Sequence, residues 1–408
     1  MTLAKLLVAI GATTSAYHRA MARVRGDLDA TERRAHRFGK TFRTAGDGLR
    51  AFARNALLIA TVGVIALSGA LAGSVKAAVA WEDAFAGVRK TVEASEPEFR
   101  ALERGIRDLA TTIPITAAEL AGLAETAGAL GIAKENILEF TRVTALIGIT
   151  TDVAAQDAAT ALGQLSNVLG LTGADYERFA STLVDLGNKG ASTESQILGI
   201  ASRAGAAAKL LDLSTSATLG WSSAVASLGI EVEAGGSSLQ TFFLRTAKIA
   251  GKGGSKLTVL AKIAGTTAKK FKTAFGKDAN GALVMFLRGL GKLDKAQRIL
   301  ALDELGLDDI RLTRTILGLA DSLDRNLVPS LETANAAWEK NNALQVEAAK
   351  RIATAKSQWQ LLKNTLYDIG ITLGTVLLPR LTPLITKLRD FITRHQPQIE
   401  NFAIRLGR

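Results

Sequence analysis

The chain contains no cysteine, so disulfides, thiolate metal ligands and cysteine nucleophiles are outside its chemistry. Of its three histidines, His18, His36 and His395, none stands near another candidate ligand at metal spacing. Aromatic residues make up 5% of the 408 positions, too few for a base-stacking surface. Only six prolines interrupt the chain, which leaves long stretches free to be helical. Serines are plentiful, yet none sits in a nucleophile-elbow pattern with a supporting His/Asp arrangement. The acid pairs Glu82-Asp83 and Asp308-Asp309 are adjacent, so on a helix they point in different directions and read as solvated or capping residues. No catalytic, cofactor-binding or metal-ligating residue is assigned. No enzymatic activity, cofactor or small-molecule substrate is expected.

What is present is 48% hydrophobic and dominated by Ala, Leu, Val and Ile, a composition that favours helix. The net charge of +12 is uneven. Residues 1–54 carry eleven Lys/Arg against Asp27, Asp29, Glu32 and Asp47, and residues 248–298 carry twelve against Asp278 and Asp294. Two readings stand side by side: an anionic partner such as nucleic acid or lipid head groups, or ordinary solvated helix faces.

The stretch from Ile113 to Ile230 organises the rest. It is a run of short amphipathic helical segments, each opened by a cap and closed by a glycine. Thr116-Ala-Ala-Glu119, Thr172-Gly-Ala-Asp175 and Thr193-Glu-Ser-Gln196 have the hydroxyl and the answering acid or amide of a capping box. Leu146-Ile-Gly148, Asp185-Leu-Gly187 and Ser227-Leu-Gly229 end alike, with their glycines 39 and then 42 positions apart. Two helices per period of roughly 40 residues predicts stacked helical hairpins, none able to bury its apolar stripe alone.

The expected fold class is all-α: stacked helical hairpins with long flanking helices and a short N-terminal strand at Leu3–Ile10. That strand is too short an apolar run for a signal peptide. Residues 1–54 form a basic N-terminal segment with an amphipathic helix over Thr14–Arg54. Residues 55–80 hold an apolar helix whose uncharged stretch, Asn55–Val75, is long enough to cross the roughly 30 Å hydrocarbon core of a bilayer. Gly69-Ala-Leu-Ala-Gly73 within it allows close helix approach. Membrane insertion and burial in a soluble assembly both remain open. Residues 81–247 form the hairpin core, with a break near Pro97 and a turn over Glu231–Ser238. Residues 248–278 are a Lys/Gly-rich basic loop region. Gly251-Lys-Gly-Gly-Ser-Lys256 and Gly289-Leu-Gly-Lys292 both fail the glycine spacing and following hydroxyl of a phosphate-binding loop. Residues 279–334 resume helical periodicity. Residues 335–408 hold a long helix over Asn335–Lys363, an apolar segment over Asp368–Pro383 broken by Gly370, Gly374, Pro379 and Pro383, and a closing amphipathic helix from Leu384.

The order of these parts resembles the tail tape-measure proteins of long-tailed bacteriophages and prophages. The opening Leu3-Ala-Lys-Leu-Leu-Val-Ala-Ile-Gly-Ala-Thr-Thr-Ser-Ala-Tyr17 before a basic helix is similar to their N-terminal segment. The core likeness runs from Trp81 to Leu319 through Ile113-Pro-Ile-Thr-Ala-Ala-Glu-Leu120, Ala127-Gly-Ala-Leu-Gly131, Asp152-Val-Ala-Ala-Gln-Asp-Ala-Ala159, Leu210-Leu-Asp-Leu-Ser-Thr215, Ala224-Val-Ala-Ser-Leu-Gly-Ile230 and Phe286-Leu-Arg-Gly-Leu290. Leu373-Gly-Thr-Val-Leu-Leu-Pro-Arg-Leu-Thr-Pro-Leu384 resembles the family's apolar segment after the core. The chain departs from the pattern in lacking the long helical repeats and the peptidoglycan-cleaving domain of many members. The resemblance implies a structural virion protein in the tail-tube lumen, made in the host cytoplasm, that templates tail length and assists genome passage through the host envelope. Implied partners are tail-tube and tail-tip or baseplate proteins, tail assembly chaperones, and further copies in a coiled-coil homo-oligomer. Contact with host membrane and DNA would come at ejection. Two other readings are a stand-alone membrane-active, pore-forming helical protein, from Asn55–Val75 and Asp368–Pro383, and a basic nucleic-acid-binding scaffold, from Lys248–Arg298.

Overall fold

The computed structural model describes residues 56–406, with side chains described from Gly73 to Pro379 and at some positions between 382 and 394. The expected strand at Leu3–Ile10 and the basic helix over Thr14–Arg54 lie outside the described residues. Residues from Gly73 on form a compact unit of their own, and both apolar cores lie within it. The described chain is all-α, seventeen α-helices with no strand among them.

Helix α1 (Ala56–Thr91) stops before Pro97, which sits in the first turn of α2 (Glu96–Thr112). Proline is favoured there because the missing N–H has no intrahelical partner anyway. Then come α3 (Ala117–Ala129), α4 (Ile137–Thr150), α5 (Ala155–Leu169), α6 (Gly173–Lys189), α7 (Glu194–Leu210), α8 (Thr215–Ala226) and α9 (Val232–Lys252). Alternate helices lie side by side: α3, α5, α7 and α9 make one row, and α4, α6 and α8 a second. The repeat period anticipates this stacking, in which each stripe is covered by the next hairpin.

The capping boxes form as their spacing predicts. The N–H of Thr116 donates to Glu119 Oε2 (2.9 Å), that of Thr172 to Asp175 Oδ2 (2.9 Å), and that of Thr193 to Gln196 Oε1 (3.1 Å). Ser95 and Glu98 make another at α2, where Lys134 also reaches the Glu98 carboxylate (2.8 Å). The Lys134 ammonium, with the Ser95 N–H and hydroxyl, holds the Glu98 pKa down to about 2.

The glycines need sorting by mechanism. Gly131, Gly170 and Gly229 do close helices in the left-handed region. Gly148 and Gly187, read as helix closers, lie inside α4 and α6. They are small because the next helix starts against them: a Cβ on Gly148 would meet Ala155 at 2.6 Å, and one on Gly187 would meet the Glu194 carboxylate at 2.4 Å. The turn expected over Glu231–Ser238 is helical from Val232, and Gly235-Gly236 pack on Val225 and Arg203 within α9.

Beyond α9 the stretch read as a loop at 248–278 folds as α10 (Ser255–Ile263) and α11 (Ala268–Lys277). Leu257, Leu260, Ala261 and Phe271 turn inward while the lysines between them stay outside. They join α12 (Ala279–Gly291), α13 (Lys295–Leu305), α14 (Ile310–Asp321) and a π turn at Leu323–Leu327. This part encloses an apolar core around Trp221, Phe242, Phe243 and Phe286, with the Trp221 indole donating to Asn280 Oδ1 (2.8 Å).

The helix expected over Asn335–Lys363 is broken twice. α15 (Val328–Lys340) ends at Asn341, whose φ of 43° is left-handed, and α16 (Ala343–Ile352) precedes α17 (Ala355–Leu406). The bends let α15 lie on α6 and α8, and α16 on α4 and α6, as a third layer. Leu331, Ala334, Leu344 and Ala348 are buried there. Polar contacts fix the register. Arg142 on α4 donates to Glu177 on α6 (2.8 Å), whose other oxygen accepts from Gln345 on α16 (2.7 Å). Burial opposes the Arg142 cation, yet the Glu139 and Glu177 carboxylates hold its pKa above the ordinary value.

Two outcomes are expected from this packing. A Cβ on Gly289 of α12 would lie 1.8 Å from the Ile263 carbonyl oxygen, whereas one on Gly276 of α11 would meet nothing within 4 Å. Gly289→Ala should therefore lower stability in denaturant unfolding by about 1–3 kcal/mol or more, while Gly276→Ala should leave it unchanged or raise it by up to about 1 kcal/mol. The depressed Glu98 carboxylate should contribute stability that is complete above its ordinary pKa of 4.5 and is lost as pH falls toward 2. An NMR titration of Glu98 should show the low midpoint, and Lys134→Ala should move it upward.

Candidate interaction surfaces

Among the described residues no group of three or more metal-capable side chains comes together. Two surfaces stand out.

The first is α17. One face is anchored to the body. Asn364, 5% exposed, donates from Nδ2 to the carbonyls of Ala110 (2.8 Å) and Ile115 (2.7 Å) at the end of α2. Arg107 on α2 pairs with Asp368 (2.6 Å) and donates to the Thr372 hydroxyl, while the Tyr367 hydroxyl donates to the Ala77 carbonyl (3.3 Å). Ile371 is fully buried. Gly370 and Gly374, read from sequence as breaks, are the crossing point with α1: a Cβ on Gly374 would lie 2.2 Å from the Ser74 carbonyl oxygen. The apolar segment over Asp368–Pro383 is thus continuous helix, and the backbone stays helical through Pro379, Pro383 and Pro397. Each internal proline costs a backbone hydrogen bond, roughly 3 kcal/mol, without ending the helix.

The other face of α17 is apolar and open. Trp359, Leu362, Leu366, Ile369, Leu373 and Val376 are each between 48% and 67% exposed. Sequence reading missed this stripe by dividing it between a helix ending at Lys363 and an apolar segment starting at Asp368. Its regular spacing of three and four, running across that division, was the available signal.

The second surface is a cleft of about 860 Å³ where the α7–α8 turn meets α9, α11 and α12. Leu213, Leu244 and Phe275 give it an apolar floor, and Lys248, Lys272 and Lys277 line it with positive charge. Cations of this basic block, and Arg245 just before it, already have partners. Lys272 donates to the Gly251 carbonyl (3.3 Å), Lys256 to Leu305 (3.1 Å) and Arg245 to Gly306 (2.6 Å). These are helix C-termini, whose free carbonyls and negative dipole end favour cations. Part of the basic block is therefore structural, which weakens the reading of it as a nucleic-acid surface.

The hairpin rows and the basic block coincide with the segment matched by a family model. The model for phage-related minor tail proteins matches residues 103–306, from within α2 to the glycine that closes α13. The chain belongs to the phage-related minor tail protein family. No curated protein and no solved structure matches it. Membership makes it a structural component of the phage tail, in a helical fold. The transmembrane expectation gains no support: among the described residues no helix is long and apolar enough to cross a membrane. Most of the uncharged span at 55–75 lies outside that statement, since its side chains before Gly73 are outside the described residues.

Removing the anchor should free α17. Asn364→Ala leaves two carbonyls at the end of α2 without their donor, a loss of about 1–3 kcal/mol for unsatisfied buried groups. Amide hydrogen exchange should show residues 355–378 losing protection while α4 to α8 keep theirs.

Proposed function

We propose that this family member is the tape-measure component of its tail: it lies in the tail-tube lumen, templates tail length during assembly and assists genome passage through the host envelope. The observation that carries the reading is α17, a helix of 52 residues spanning roughly 78 Å at 1.5 Å per residue. It stands beside a compact hairpin body that the family match covers. A long helix supplies a length; a stack of hairpins supplies contact surfaces. The resemblance of the ordered segments to tape-measure proteins points the same way. On this reading the hairpin rows carry contacts with tail-tube, tail-tip or baseplate proteins and with assembly chaperones. The chain acts by binding and spacing rather than by catalysis, and membrane and DNA contacts belong to ejection.

The test is tail length. Deleting residues 384–397 from the helix should shorten tails by about 1.5 Å per residue, about 21 Å in all, as a shift in the mean over many tails imaged by electron microscopy. Tails of unchanged length, or normal tails assembling without the protein, would sink the ruler role while leaving the family assignment intact.

A further inference from the structure

We propose that the cleft where the α7–α8 turn meets α9, α11 and α12 is a docking site for an acidic helical segment of another protein, seated by an apolar side. The proposal does not rest on the ruler role.

The shape of the cleft suits a helix. Leu244, Ala247, Lys248 and Gly251 follow one side of α9, and Lys272, Phe275 and Gly276 follow one side of α11. Positions three and four apart share a helix face, so two helix faces border the space, with the α7–α8 turn across one end. Its volume of about 860 Å³ lies in the range of roughly 300–1,000 Å³ that ligand sites occupy. Small residues keep the borders low. A Cβ on Gly251 or on Gly276 would meet nothing within 4 Å, so both glycines open on the cleft rather than on a neighbouring helix. A trough between two helices is the seat of helix-in-groove recognition, in which anchors at helical spacing enter from one side.

The chemistry of the walls selects the occupant. Leu210 is 65% exposed and Leu244 is 42% exposed, with Phe275 half-buried beside them. Among the described residues, Lys248 and Lys277 have no hydrogen-bond or ion-pair partner, and Lys272 reaches only the Gly251 carbonyl (3.3 Å). Lys277 lies in the last turn of α11, where the helix dipole favours a cation. Lys248 stands a full turn before the end of α9 and lacks that reason. Two carboxylates border the cleft. Asp278 caps α12 by accepting from the Gly281 N–H (2.9 Å), and Asp212 is exposed in the left-handed α7–α8 turn at φ 52°. Three ammonium groups against two carboxylates, one of them spent on a helix end, leave the cleft positive.

Other occupants meet only half of this surface. A phosphate ion would answer the lysines and leave Leu210, Leu244 and Phe275 in water. An uncharged apolar helix would cover the leucines and bury cations with no counter-charge, which is costly. A helix with leucine or phenylalanine three and four apart, flanked by Asp and Glu, satisfies both parts.

The test uses random peptides of about 14 residues, roughly four helical turns, displayed on yeast and selected against the full chain. The enriched sequences should combine several Asp or Glu with Leu, Ile, Phe or Trp three and four apart. The dissociation constant of an enriched peptide, made with a fluorescent label, is then read by anisotropy. Lys248→Glu with Lys277→Glu should weaken binding by about 100-fold or more. Gly276→Leu, which fills the trough from an open position, should weaken it by about tenfold or more. Lys292→Glu with Lys295→Glu, exposed cations outside the cleft, should change it by less than about threefold. Unchanged helical circular dichroism and thermal midpoint show that each variant is folded. Enrichment of basic, uncharged or patternless sequences would overturn the proposal. So would acidic peptides whose binding survives both cleft variants, or falls as far with the Lys292 and Lys295 reversals. Displacement of the peptide by laurate at comparable affinity would overturn it in favour of a lipid acid. A dimer of the chain that the same lysine reversals dissolve would overturn it in favour of a second copy.

Discussion

The second helix row cannot be covered by its own hairpins, and the rest of the structure depends on how that exposure is resolved. Within a two-row stack, α4, α6 and α8 face α3, α5, α7 and α9 on one side and would meet water on the other. The chain returns from the far end of the molecule and lays α15 and α16 across that side. Leu331, Ala334, Leu344 and Ala348 are buried in doing so; a leucine fully removed from water contributes roughly 1.5–3 kcal/mol. The seam is keyed by hydrogen bonds, with the Leu344 N–H donating to Ser181 Oγ (3.4 Å) and Ser216 Oγ to Asn335 Oδ1 (2.7 Å). Once α16 is placed, α17 must start beside α2, which sets where its anchored and open faces point.

The hairpins were legible because their signals are local. A threonine with an acid or amide three residues on, ahead of an apolar stripe, fixes a helix start whatever the tertiary context. The glycines were less legible. Sequence does not distinguish Gly170, which needs a left-handed φ of 76°, from Gly148, which needs room for Ala155. Lysine density misled at 248–278, where Leu257, Leu260 and Ala261 were spaced for burial within the basic text. The break at Asn341 had a local signal, an asparagine able to take the left-handed φ of 43° after a lysine in the last turn, while the layer it makes room for rests on α6 and α8, more than a hundred residues away. In α17, Pro379 and Pro383 argue locally against helix, and a continuous helix forms all the same. The open stripe fell between two segments drawn around those breakers.

Small side chains set the working distances. Gly289 against the Ile263 carbonyl and Gly374 against the Ser74 carbonyl bring backbones together where any Cβ would intrude. The aromatic side chains concentrate in a few places instead. Trp221 with Phe242, Phe243 and Phe286 fills the space among α8, α9 and α12, and Trp81 stacks on Phe85, which meets Phe99 edge-on. The resulting core is closely set, and no charged side chain stands among its buried residues. Most of the chain's ion pairs have an exposed partner and are each worth little alone, while Arg142–Glu177 and Arg107–Asp368 are half-buried.

The third layer has a consequence for the order of events during synthesis. Phe179 on α6 and Leu344 on α16 are both fully buried, in one core. They are 165 residues apart in the chain. At translation rates of about 5–20 residues per second, roughly 8 to 33 seconds pass between the emergence of the first and the second. Through that interval the outer side of α4, α6 and α8 is finished in sequence but bare in water, long after its helices have had time to form. The nascent chain therefore carries a sticky face that the mature protein conceals, and whatever protects it from neighbouring chains must act before the ribosome has finished.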